Sequence, residues 1–152
     1  VCDFGLARGD MCDVDGEEEG QECGVLTEYV VTRWYRAPEV MLLPKQYTVS
    51  LDLWALGCIL GEMLGRKALF PGKNHVDMMT RISQVLGSPA EQELNWLPKT
   101  TDAYNFMRKV CPKSDGMSLA ALYPSASRQC LDFLKQLLRW DPSRRPTAAE
   151  AR

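Results

Sequence analysis

Two hydroxyls, Thr27 and Tyr29, stand two residues apart and follow a stretch of concentrated negative charge. In an extended segment that spacing projects both side chains the same way, so one modifying enzyme can address both. A phosphate on either adds a charge of about −1.5 to −2 and three strong acceptor oxygens. The preceding loop cannot receive it. Residues 9–26 contain Asp10, Asp13, Asp15, Glu17, Glu18, Glu19 and Glu22 without one Lys or Arg. Asp13-Val14-Asp15-Gly16 invites comparison with a calcium loop, but the alternating ligands and terminal glutamate are not at their spacings, so a solvated acidic loop is expected. Six cysteines form no C-x-x-C pair, and one histidine, His75, completes no zinc set, so reduced thiols are expected.

Three motifs organise this region. Asp3-Phe4-Gly5 precedes the acidic loop, Thr27-Glu28-Tyr29 follows it, and Val30-Val31-Thr32-Arg33-Trp34-Tyr35-Arg36 leads into Ala37-Pro38-Glu39. In this order and separation the chain resembles the mitogen-activated protein kinases of the T-E-Y type, over essentially its whole length.

The resemblance implies a proline-directed serine/threonine kinase that uses ATP and Mg²⁺. Asp3 would hold the Mg²⁺ that bridges the nucleotide's phosphates. Thr27 and Tyr29 would be the activating phosphorylation sites. Arg8 would help receive phosphothreonine, while Arg33 and Arg36 would take phosphotyrosine through bidentate contacts. Val30, Val31, Thr32, Arg33 and Trp34 would form the pocket for the residue after the phosphoacceptor. Proline has no N–H to satisfy, so a pocket without an acceptor favours it and selects Ser-Pro and Thr-Pro substrates. Glu39 and Arg145 would form a buried ion pair tying the segment to its lobe. Asp52 would brace the catalytic loop, or simply favour a helix start through the dipole. Met41, Leu42, His75, Val76 and Met79 would border a docking groove for aromatic peptides, with core packing the competing role for Met79. The implied partners are protein substrates, an upstream dual-specificity mitogen-activated protein kinase kinase and phosphatases, in cytoplasm and nucleus.

The sequence also departs from that pattern. No glycine loop, strand lysine or H-R-D catalytic loop precedes Asp3, where only Val1 and Cys2 stand. A fragment is therefore expected, inactive alone and poorly folded alone. The loop before Thr27 is longer and more acidic than the family suggests. Cys2 is either a thiol facing the nucleotide cleft or a buried inert one. A pseudokinase or scaffold using the same lobe is the alternative reading; a cyclin-dependent kinase is disfavoured by T-E-Y.

The elements that must position these residues read as mainly α, the C-terminal lobe portion of a two-lobed α+β kinase fold. Residues 1–39 form the activation segment and 49–64 an apolar, buried central helix. Asn74 and Asp77 open another helix with Val76, Met79, Ile82, Val85 and Leu86 on one stripe, closed by Gly87. Residues 88–124 form the kinase insert, and Ser88-Pro89-Ala90-Glu91 reads as a helix start. Residues 125–152 form truncated C-terminal helices. There, Cys130, Phe133, Leu134, Leu137 and Leu138 share a face until Trp140-Asp141-Pro142. Thr147 and Glu150 form a capping box. At 45% hydrophobic and 25% charged the composition is that of one ordinary globular domain. A net charge of −2 argues against a generic nucleic-acid binder. The run Leu51–Leu64 is too short and too interrupted to span a membrane.

Overall fold

The computed structural model describes residues 33–43 and 48–151, and among them the regular elements are helical. A 3₁₀ turn, Arg33–Tyr35, precedes α1 (Pro38–Leu42), which starts on a first-turn proline whose missing N–H costs nothing there.

Helix α2 spans Ser50–Gly65 and supplies the floor of the core. Leu53, Trp54, Gly57, Cys58 and Gly61 recur at i, i+1, i+4, i+5 and i+8 and are buried. The sequence reads as apolar all round, yet Leu56, Ile59 and Met63 are exposed on the far side, Met63 at 72%. The buried face is the one that carries Trp54 and the two glycines. Gly57 is required by proximity: a Cβ there would stand 2.8 Å from Leu138 Cδ2 and 3.0 Å from Leu137 Cβ. Trp54 stacks on Phe70 with centroids 5.8 Å apart and planes 17° from parallel.

Helix α3, His75–Leu86, opens where the sequence indicates. Asn74 Oδ1 accepts the Asp77 N–H at 2.8 Å. Its buried residues are Met78, Met79, Ile82, Ser83 and Val85, whereas Val76 is exposed; the stripe is rotated by part of a turn from the expected one. At its end Gly87 adopts φ 84°, and the chain pairs with residues 114–117. Ser88 N–H donates to Ser114 O (2.8 Å) and Met117 N–H to Val85 O (2.9 Å). Trp140 Nε1–H closes the corner on Gly87 O at 3.0 Å.

The expected helix start at Ser88 is not formed as read. A 3₁₀ turn, Glu91–Leu94, begins instead after Ala90, whose N–H donates to Glu93 Oε2 at 2.9 Å. The Ser88 hydroxyl is engaged elsewhere, accepting the Ser114 N–H at 2.8 Å. Helix α4 (Asp102–Asn105), capped by Thr101, runs into a π turn, Phe106–Val110, closed by Cys111 N–H on Phe106 O at 2.9 Å. Helix α5 is Leu119–Leu122, and α6 is Arg128–Leu137 with Ser127 as its cap. Leu131, Leu134 and Leu137 are its buried residues, while Cys130 and Phe133 are only partly covered. The Thr147–Glu150 box forms in both directions, at 2.8 and 3.3 Å.

Gly116 sits at φ 81°, and a Cβ on it would lie 2.6 Å from Gly87 N and 2.9 Å from Leu86 C, both backbone. Gly116→Ala therefore combines left-handed strain with a clash that no side chain can relieve, a cost of about 2–3 kcal/mol. Denaturant unfolding of the full-length protein should show that loss, and an unchanged midpoint would refute it.

Candidate functional site

Arg145 is the residue around which this site is built. It follows the 3₁₀ turn Pro142–Arg144, which Asp141 caps by accepting the Ser143 N–H at 2.9 Å. That turn aims the guanidinium inward at Glu39, in the first turn of α1. Arg145 Nη1–H donates to Glu39 Oε1 at 2.5 Å and Nη2–H to Oε2 at 2.8 Å, with both side chains essentially without exposed surface. Two further donors, Nη1–H and Nε–H, reach Ser50 O and Arg139 O, each at 3.0 Å. Its face lies 5.0 Å from the Trp54 ring centroid. One side chain thus joins α1, the start of α2 and the turn after α6.

The turn before α1 is held by a second set of bonds. Arg36 N–H donates to Arg33 O at 3.1 Å. Arg33 Nη1–H donates to Lys73 O at 2.7 Å, and Trp34 Nε1–H to Gly72 O at 3.1 Å. The receiving turn is itself braced by Asp77, whose Oδ2 accepts the Lys73 N–H (2.8 Å) and Arg81 Nε–H (3.1 Å). These donors, the Lys73 N–H first, hold the Asp77 carboxyl below the usual range. Tyr35 OH donates to Glu62 Oε2 on α2 at 2.6 Å, and this bond to the neighbouring carboxylate raises the phenol's pKa. Burial pushes the Cys58 thiol up to about 12, so it behaves as a small apolar filler.

Of the residues singled out in the sequence, Glu39 and Arg145 are brought together. Arg33, Trp34 and Arg36 share the turn, with Trp34 40% exposed. The docking set is divided: Met79 is buried in the core, Val76 is exposed, and Met41, Leu42 and His75 are partly covered. Met79 therefore packs the interior. Asp52 is exposed in the first turn of α2. Asp3, Arg8, Thr27, Tyr29, Val30, Val31 and Thr32 lie outside the described residues. Sequence reasoning missed the Tyr35–Glu62 and Asp77 bonds. A glutamate 27 residues from its tyrosine carries no local signal, although the run Asn74 to Asp77 to Arg81 could have been read as a cap plus an i,i+4 pair. Among the described residues no group of three or more His, Cys, Asp or Glu could hold a metal, and no helix is long and apolar enough to cross a membrane.

A buried bidentate Arg–Glu pair thus fixes the Ala37-Pro38-Glu39 motif to the helical lobe. The whole chain, residues 1–152, matches the protein kinase domain, and it belongs to that family. Its curated relatives are mitogen-activated kinases. It is 44% identical to extracellular signal-regulated kinase 2 of Dictyostelium discoideum, across 99% of this chain and 40% of that protein. It is likewise 44% identical to mitogen-activated protein kinase SLT2/MPK1 of Saccharomyces cerevisiae, and 43% to mitogen-activated protein kinase spm1 of Cytospora mali. The match covers 99% of this chain in both, and 30% and 34% of those proteins respectively. The chain thus spans well under half the length of these relatives.

Two outcomes follow from this geometry. Glu39→Gln strands the Arg145 charge and should lower stability by about 3–5 kcal/mol. Glu39→Leu combined with Arg145→Met should recover only part, because Ser50 O and Arg139 O lose a donor. Unfolding midpoints of the full-length variants check both.

The second concerns alkali. The folded protein holds the Cys58 and Tyr35 protons more tightly than the unfolded chain, whose values lie near 9.0 and 10.0. That stabilisation is complete below those values and is lost as pH rises toward about 12. Stability should therefore fall above about pH 9, and Cys58→Ala should flatten the fall. An unchanged alkaline profile would contradict this.

Proposed function

We propose that the protein containing this chain is a proline-directed serine/threonine kinase of the mitogen-activated type. It transfers the γ-phosphate of ATP to Ser-Pro and Thr-Pro sites, and phosphorylation of Thr27 and Tyr29 by an upstream dual-specificity kinase activates it. Phosphatases reverse that activation, and the enzyme works in cytoplasm and nucleus. The observation that carries this reading is the turn Arg33–Tyr35, which is separated from Tyr29 by three residues in sequence and is tied to the lobe at residues 62, 72 and 73.

The chain's own residues divide the work. The Asp3 carboxylate is a hard oxygen donor suited to Mg²⁺, and that ion, when bound, neutralises nucleotide phosphate charge. Arg33 is positioned by a backbone carbonyl, so its charge is not spent on a carboxylate. Its other donors are unpaired among the described residues and are available to a phosphotyrosine at position 29. Arg8 takes the phosphothreonine. Val30 to Trp34 shape the pocket that accepts a proline after the phosphoacceptor, and the Glu39–Arg145 lock keeps that pocket from drifting.

Replacing Thr27 by Ala and Tyr29 by Phe together in the full-length protein should lower phosphoryl transfer to a Ser-Pro peptide by at least about 100-fold, roughly 2.7 kcal/mol of transition-state stabilisation. Undiminished transfer by that variant would overturn the activation scheme. Equal rates on Ser-Pro and Ser-Ala peptides by the wild-type enzyme would overturn the specificity.

A further inference from the structure

The insert carries a groove that none of the roles above uses. It encloses about 490 Å³ between the Ser88–Pro89 corner and the segment after the π turn. Arg108, Lys113, Ser114 and Asp115 supply polar walls, and Pro89 and Met107 an apolar strip. The two sides are distant in sequence but tied together. Ser88 N–H donates to Ser114 O and Ser114 N–H to Ser88 Oγ, each at 2.8 Å. The walls are therefore set before a ligand arrives, which reduces the ordering cost of binding.

Arg108 and Lys113 are exposed and make no ion pair among the described residues. Asp115, the one carboxylate on the walls, pairs with neither, so the groove is net cationic in a chain of net charge −2. Uncharged donors accompany the cations. Ser114 Oγ accepts the Gly116 N–H at 3.1 Å and keeps its own hydroxyl proton to give. The backbone N–H groups of Lys113 and Asp115 donate to nothing among the described residues.

A guanidinium fork, an ammonium, a free hydroxyl and uncommitted amides match the several oxygens of a phosphate monoester, whose charge is about −1.5 to −2. We propose that this groove is a docking site for a phosphoserine or phosphothreonine segment of a partner protein, with Arg108 and Lys113 on the phosphate. The apolar strip favours a peptide over free phosphate. Pro89 and Met107 offer a surface to an aliphatic side chain beside the modified residue, which an inorganic ion cannot use. Asp115 opposes an unphosphorylated acidic segment, whose single charges gain less from the two cations than a dianion does. The groove shares no residue with the Arg33–Tyr35 turn, so the proposal does not rest on the activation scheme.

The test is fluorescence anisotropy of a labelled phosphoserine peptide titrated with the full-length protein. Leucine, not proline, follows the phosphoserine, so the peptide is no product of the proposed kinase activity. It should bind saturably, and the same peptide with serine or glutamate there should bind at least about tenfold more weakly. Arg108→Gln with Lys113→Gln should also weaken the phosphopeptide at least about tenfold, with the unfolding midpoint unchanged because both side chains are exposed. Arg108→Lys, which keeps the charge and loses the fork, should fall between. Arg33→Gln should leave binding as it is, which separates the groove from the arginines assigned to phosphotyrosine. No binding, binding indifferent to the double variant, or binding lost on Arg33→Gln instead would each overturn the proposal. So would equal affinity for the glutamate peptide, or competition by inorganic phosphate at the peptide's own dissociation constant.

Discussion

The positive charge of Arg145 has no exposed surface, and the surrounding fold is arranged to meet it. An ionised group taken out of water is costly unless its partner and its remaining hydrogen bonds are all supplied. Glu39 neutralises it with both oxygens, Ser50 O and Arg139 O accept two further N–H groups, and the Trp54 face covers it. These partners come from three places in the chain, separated by up to 106 residues. Satisfying one guanidinium therefore fixes the positions of α1, of the start of α2 and of the turn after α6 relative to one another. The pair need add little net stability to have this effect. What it enforces is that every alternative packing would strand a charge.

From that fixed point the turn Arg33–Tyr35 is positioned outward. Helix α1 is anchored through Glu39, so the turn immediately before it enters from a defined direction. Trp34 and Arg33 then attach to consecutive carbonyls, Gly72 and Lys73, and Tyr35 attaches to Glu62 of α2. The carbonyls are held in turn by the Asn74 cap and the Asp77 carboxylate at the start of α3. Position is passed from a buried ion pair through a short helix to a partly exposed turn.

The sequence shows the parts of this arrangement whose signal is local. The Asn74 cap, the Thr147–Glu150 box and the helical stretches follow from residue type and spacing, and the Glu39–Arg145 partnership follows from the family resemblance. What it does not show depends on which face of an element meets another. α2 looks uniformly apolar because hydrophobicity does not distinguish Gly57 and Gly61, which admit α6 and Leu69, from Leu56 and Met63, which face outward. The Ser88 capping signal was genuine in composition. It lost to tertiary pairing, since the 114–117 segment takes the serine's hydroxyl and N–H and moves the turn to Ala90. The same reasoning places Met79 inside: helical spacing allows several stripes, and the one selected is set by Phe70, Trp54 and the insert packed against it.

The two arginines at either end of this region are held by opposite means. Arg145 is neutralised by a carboxylate and shielded, so it has no charge left to offer a ligand and acts only as architecture. Arg33 is held by a neutral carbonyl, which fixes its direction, and it has no carboxylate partner among the described residues. If Arg33 receives the phosphate of Tyr29 as proposed, a carboxylate partner would have to be displaced before any attraction was gained. A carbonyl tether removes that competition, and it lowers the entropy lost when a long side chain is fixed by its ligand. In sequence, an acidic stretch without a single basic residue precedes Arg33 and Arg36, the charge distribution on which the proposed reception of phosphate at Tyr29 rests.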